Sequence, residues 1–446
     1  MMKRLDDATE KETGLMDLPL DIQAEILLMF FEYKISSMER WHRLQQIFRM
    51  IPQFGRTEVK PLFYAKVQYI TPDLYMEFYK TMEYPLFLGL REFSPTSYTE
   101  EAHFALVPLL KNLQTLDISS CSLPGGIGSL TNLTSLTCSF NTKDEDLVNM
   151  TQLTTLKISG LFGSLGNETF SRLTNLTNLD INSGFVGNTE LTPVIFNNLP
   201  YLKTLAFKLF ASGTFRPEVL RDYFDSVTTE FANLTSLHYE GPLAVVRNMI
   251  GNLPNLVELC LSDATNTYPH YSGYFSNLFN LTKLSLLRYH YHFDDNDLNG
   301  LTKLSTLSIE DCRSFDGIQN LTSITNLSIK HKTDIVLCDY TLLVNLKKLS
   351  TLAFHVPYKL TDSFVSMMEG LTYLDVIGNS NITDRSLLKL TNLKRLDLAG
   401  YSPKLSRNAI NRLPNLGVVG VPAKEIYGRK RLVESLDNPN VKLLEL

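Results

Sequence analysis

A chain of 446 residues, 44% hydrophobic and 20% charged, has the balance of a globular protein or of one long array. A net charge of −5 offers no basic stripe for nucleic acid, and no run approaches the roughly 18 apolar residues of a membrane span. The five cysteines (Cys121, Cys138, Cys260, Cys312 and Cys338) lie far apart with no C-x-x-C pair, which reads as reduced thiols in cytosol or nucleus rather than a disulfide framework.

Residues 1–13 are polar and read as a disordered tail, not a signal peptide, because charge runs to Glu12. The first predicted element is a helix over LPLDIQAEILLMFF, opened by Leu18-Pro19, where a proline costs no hydrogen bond. At helical spacing it carries two apolar stripes. Ile22, Ile26, Met29, Phe30 and Tyr33 form one; Leu20, Ala24, Leu27 and Phe31 form the other. A second helix follows, with Ser36 and Glu39 as a capping box and Trp41, Leu44, Phe48 and Ile51 on one side. A third begins near Thr57. Residues 68–106 read as a linker and cap for what comes next.

From about residue 107 the chain repeats the frame L-x-x-L-x-L. Its copies start at Leu113, Leu133, Leu153, Leu176, Leu202, Leu234, Leu256, Leu281, Leu304, Ile324, Leu349, Leu371, Leu393, Leu416 and Val441. Spacings run from 20 to 26 residues, with one of 32 before Leu234. A unit of this length cannot bury its own leucines, so neighbours must stack. Parallel strands at about 4.8 Å would give an edge of roughly 70 Å. Asp362 and Asp384 stand where a helix N-cap or first-turn acid belongs, and a helix is expected from about Pro217 in the long insertion.

The period and frame resemble leucine-rich repeats. The resemblance covers 107–446 and implies an α/β solenoid, a horseshoe with parallel strands on its concave face. Asn141, Asn379, Cys121 and Cys312 keep that family's ninth frame position. The helices of 14–67 resemble an F-box, a small all-α domain, with Leu18, Pro19, Ile22, Ile26 and Leu27 matching the motif's start. This second resemblance implies a Skp-type adaptor on those five residues and, through it, a cullin. The chain would be the substrate receptor of a ubiquitin ligase, doing no chemistry and needing no cofactor or metal. Two alternatives stay open: helices that merely cap the first repeat, and a binding scaffold with no ligase link.

Nine N-x-S/T sequons follow mostly from the repeated phrase L-T-N-L-T. In the frame, the third, fifth and seventh residues face away from the core. Early units offer small polar groups there: Thr115, Asp117, Ser119, Ser135 and Thr137. Middle units offer His238, Glu258, Lys283 and Glu310, with Arg288, Tyr289 and Tyr291 in the run RYHYHFDD. Tyrosine and arginine are favoured interface anchors, so a target protein is expected there.

Overall fold

The computed structural model describes chiefly residues 107–119 (except 109), 126–139, 142–159, 165–181, 192–208, 231–242, 249–262, 275–288, 298–311, 317–331, 340–355, 360–376, 382–398, 405–421 and 441–445, with short pieces at 34–35, 69–70, 91–94, 292–293 and 314–315. The chain divides into two compact units, Met1–Tyr201 and Leu202–Leu446.

In the first unit, consecutive strands pair in parallel: β1 (Lys34–Ile35), β2 (Tyr69–Ile70), β3 (Glu92–Phe93), β4 (Thr115–Asp117), β5 (Ser135–Ser139), β6 (Thr155–Ser159) and β7 (Asn178–Ile181). The second unit begins with β8 (Thr204–Lys208), β9 (Ser236–Glu240), β10 (Glu258–Ser262) and β11 (Lys283–Leu287), then β12 (His292–Phe293), β13 (Thr306–Glu310), β14 (Ser314–Phe315), β15 (Asn326–Lys330) and β16 (Thr351–His355). It closes with β17 (Tyr373–Asp375), β18 (Arg395–Asp397), β19 (Val418–Val421) and β20 (Lys442–Glu445). All of these form one parallel ladder except β12 and β14, which pair only with each other.

Every expected copy of the frame is therefore a strand in a parallel ladder. Within β13, Leu307 and Ile309 are buried while Thr306, Ser308 and Glu310 are half-exposed, as the two-residue period of a strand requires. Leu304, the first frame position, is buried in the turn just ahead of the strand. Each such leucine contributes roughly 1.5–3 kcal/mol by leaving water. At the sixth position the Phe207 and Tyr239 rings meet at a tilt of 50°, centroids 4.9 Å apart, and the buried Tyr239 hydroxyl donates to Pro242 O at 2.9 Å.

The polar letters of the repeated phrase are also structural. The threonine or serine at the second position donates its hydroxyl to the second-position carbonyl of the preceding unit. Thr282, Ser305, Thr325, Ser350 and Thr372 do so in succession at 3.1–3.2 Å. The asparagine ahead of the first leucine donates Nδ2 to another carbonyl one unit back. Asn132 reaches Lys111 O, Asn175 reaches Thr151 O, and Asn280 reaches Pro254 O. These three are sequon asparagines whose amide nitrogens already serve the stack.

On the return segments, short helices form at α1 (Asp144–Leu147), α2 (Asn167–Arg172), α3 (Asp362–Val365), α4 (Asp384–Leu387) and α5 (Arg407–Asn411). Thr361, Thr383 and Ser406 cap the last three through their hydroxyls. Asp362 and Asp384 are first-turn acids, and each also grips the following helix. The Asp362 carboxylate accepts from Thr383 N at 2.7 Å, from Ser386 Oγ at 2.6 Å and from Thr383 Oγ1. Asp384 accepts from Ser406 N at 2.6 Å. The helix expected near Pro217 and the ninth-position residues Asn141, Asn379, Cys121 and Cys312 lie outside the described residues.

Two expectations need correction. The all-α character expected of 14–67 does not extend to Lys34–Ile35, which is strand β1 and pairs with β2. The ladder thus continues upstream at Tyr69–Ile70 and Glu92–Phe93, where the frame is reduced to VQYI and LREF. The last repeat is also displaced by one residue. A frame from Val441 would turn Leu444 inward. Lys442 N instead donates to Gly417 O at 2.8 Å, as Val418 N does to Lys394 O one unit earlier. Leu443 therefore pairs with Val419, and Leu444 is 42% exposed. A one-residue slip exchanges the two faces of a strand, and two adjacent leucines satisfy either register. Replacing Leu444 with lysine is therefore expected to change unfolding free energy by less than about 0.5 kcal/mol. A loss of several kcal/mol in a denaturant titration would reinstate the other register.

Candidate binding face

Strand pairing in register lines up the third, fifth and seventh frame positions of the second unit on the face opposite the leucines. The structure places several predicted residues there. His238 is exposed on β9, and its Nε2 lies 4.0 Å from Cys260 Sγ on β10. Glu258 pairs with Lys283 across β10 and β11. Both are about half exposed, so the pair contributes little to stability. Lys208 and Glu240 pair at 2.8 Å across β8 and β9 and are better shielded. Glu310 ends β13, in register with Lys330 on β15.

Arg288 is exposed just after β11, with a left-handed φ of 55°. Asp311, the equivalent residue after β13, has φ 58°, and Gly241 after β9 has φ 152°. Left-handed backbone costs a side-chain-bearing residue about 1 kcal/mol or more, and it turns the chain out of the ladder at the same point in these repeats. Beyond Arg288 and Asp311, β12 and β14 form their separate parallel pair. Tyr289 and Tyr291 lie outside the described residues, as do Leu18, Pro19, Ile22, Ile26 and Leu27.

A tighter cluster sits farther along the same face, where the sequence reading had named nothing. Asp397 on β18 is 1% exposed. It accepts from the Tyr373 hydroxyl at 2.6 Å, and from Arg395 Nε at 3.0 and 3.1 Å and Nη2 at 2.8 Å. The Arg395 guanidinium lies 5.1 Å from the centroid of the Tyr373 ring, a cation–π distance. Burial, the bond to Asp397 and the charges of Asp375 and Asp397 together push the Tyr373 phenol pKa up. The bond to Asp397 holds Arg395 still more firmly charged. Beside them, His355 Nε2 lies 2.8 Å from Asp375 Oδ2. The visible signal was the pair of triplets YLD and RLD in adjacent repeats, which set an aromatic and a cation two residues before an acid.

His331, just past β15, is 7% exposed, and its backbone N–H donates to His355 O at 3.1 Å. Burial pushes its imidazole pKa down, against a smaller opposing pull from Asp311. The folded protein therefore binds this proton less readily than the unfolded chain. The resulting stability is present above the unfolded value of about 6.5 and is lost as pH falls through the lowered folded value. The denaturant midpoint is expected to fall between pH 7 and pH 5, and less so in His331→Gln. Equal slopes for the two proteins would remove His331 as the cause.

Among the described residues, no group of three or more His, Cys, Asp or Glu is arranged to hold a metal ion, and no helix is long and apolar enough to cross a membrane. The repeated frame, the parallel ladders and the buried leucines define a leucine-rich-repeat array. No protein-family model matches the chain, and no curated protein does. Among solved structures it is similar to an internalin from Listeria monocytogenes, at 18% identity and TM-score 0.43, covering 78% of this chain and 89% of that one. A TLR13–ssRNA13 complex matches at 18% identity and TM-score 0.47, covering 78% of this chain and 56% of the other. A leucine-rich-repeat protein of Leptospira interrogans matches at 18% identity and TM-score 0.44, covering 78% and 98%.

Proposed function

We propose that the chain is a protein-binding scaffold that holds a partner on the strand face of its 202–446 unit. One observation carries this reading: the face bears half-exposed polar and aromatic groups of both signs, in register over successive strands. Lys208, Lys283 and Arg395 each lie against a carboxylate. A nucleic-acid face would instead leave its cations facing phosphate. Mixed charges with tyrosine and arginine suit a protein surface, where a few anchors carry affinity and charge sets specificity. The test is a partner recovered by cross-linking to the full chain, measured against Arg288→Ala/Tyr289→Ala/Tyr291→Ala and against a Thr115→Ala/Ser135→Ala control. The first variant is expected to weaken binding at least tenfold, the second not at all. Equal affinities would move the site elsewhere.

The finer reading makes this scaffold the receptor of a Skp–cullin–F-box ubiquitin ligase. Leu18, Pro19, Ile22, Ile26 and Leu27, on a helix predicted apolar on two sides, support it. One end would hold the ligase and the other the target, raising their effective concentration. Ile22→Asp/Ile26→Asp should abolish capture of a Skp-type adaptor while the repeats stay folded. Capture unchanged by the substitutions would leave a scaffold without a ligase.

A further inference from the structure

One pair of side chains on the strand face has donor chemistry that neither the stack nor the ion pairs use. Cys260 and His238 are direct partners in the β9–β10 ladder, both at the fifth frame position, with Sγ 4.0 Å from Nε2. The Lys208–Glu240 and Glu258–Lys283 pairs are on the same strands and their immediate neighbours, so the adjacent charges are already matched. Among the described residues no third His, Cys, Asp or Glu joins Cys260 and His238, so the site proposed here is one of two donors. A thiolate and an imidazole are the donors that suit cuprous copper. Metal–thiolate and metal–imidazole bonds of roughly 2.3 and 2.0 Å put the two donor atoms about 3.5 Å apart at a tetrahedral angle and about 4.3 Å apart in line. The separation of 4.0 Å lies toward the open, low-coordinate end.

We propose that Cys260 Sγ and His238 Nε2 form a two-donor site for a cuprous ion. Binding exchanges a proton for the metal. The thiol releases its proton to solvent as the Cu–S bond forms, and the Nε2 lone pair of the Nδ1–H tautomer completes the site. No electron is transferred. Burial, reinforced by the charge of Glu240, pushes the Cys260 thiol pKa up.

The test is an anaerobic Cu(I) titration of the full chain against a chromophoric chelator. Wild type should take up one more ion than Cys260→Ser. His238→Gln, which keeps the thiol and alters an exposed side chain, should bind that ion at least tenfold more weakly. X-ray absorption of the difference site should report one sulfur and one nitrogen, and Zn(II) should not distinguish wild type from either variant. Equal Cu(I) uptake by wild type and Cys260→Ser, unchanged affinity in His238→Gln, or a site of two sulfurs would each overturn the proposal.

Discussion

Replacing Asp397 with alanine is expected to lower the free energy of unfolding by about 2–3 kcal/mol. The carboxylate is almost wholly buried and holds both a forked arginine and a phenol. Its removal strands two donors at once. Loss of one member of a fully buried pair costs about 3–5 kcal/mol. Arg395 is 39% exposed and can turn toward water, which moderates the penalty. Asp397→Asn, which keeps the shape and an acceptor, should lose about half as much. Adding Arg395→Met to Asp397→Ala should recover part of the loss, because the stranded cation is gone. A double variant no better than the single would show that the arginine is indifferent to its partner. The same substitutions separate stability from recognition: if partner binding falls further than folding does, this cluster belongs to the partner's footprint.

Asp362→Ala is expected to cost about 1.5–3 kcal/mol, from the three donors it leaves on the start of α4. Burial alone would raise this carboxyl's pKa. The hydrogen bonds from Ser386 and Thr383, with Arg385 nearby, outweigh burial and hold it below the usual carboxylate range. A depressed folded value means the stabilisation is present above about pH 4, the ordinary value, and disappears as pH falls through the folded one. Wild type and variant should therefore differ at pH 7, and the difference should shrink as pH falls below about 4 in denaturant titrations. A constant difference across that range would show that the loss comes from packing and not from the carboxylate's bonds.

The leucine frame was legible because burial imposes it: every unit must present the same apolar residues at the same spacing or fail to stack. The upstream strands escaped because VQYI and LREF keep only the first half of that frame, and what marks them is hydrogen bonding to a neighbour. The last repeat was misread by one residue because Leu443 and Leu444 satisfy hydrophobic pattern equally, while backbone pairing with β19 does not. On the strand face, no periodicity is enforced. Asp375 and Asp397 had the look of ordinary polar positions, and only the approach of β16, β17 and β18 brings an imidazole, a phenol and a guanidinium onto them. The first-turn acids were found for a local reason, yet their bonds to the next helix are set by distances across the stack that no single unit contains.

Among the described residues, the threonine and asparagine bonds to main-chain carbonyls one unit back share a direction: the donor is in the later repeat and the acceptor carbonyl in the earlier one. The Asp362 and Asp384 grips share this polarity, with the acceptor made first and its donors made afterward. A chain emerging from the ribosome N-terminus first, at about 5–20 residues per second, therefore meets a finished row of acceptors each time a new repeat appears. Growth is templated from behind: the side-chain donors of each new repeat find their carbonyls already in place.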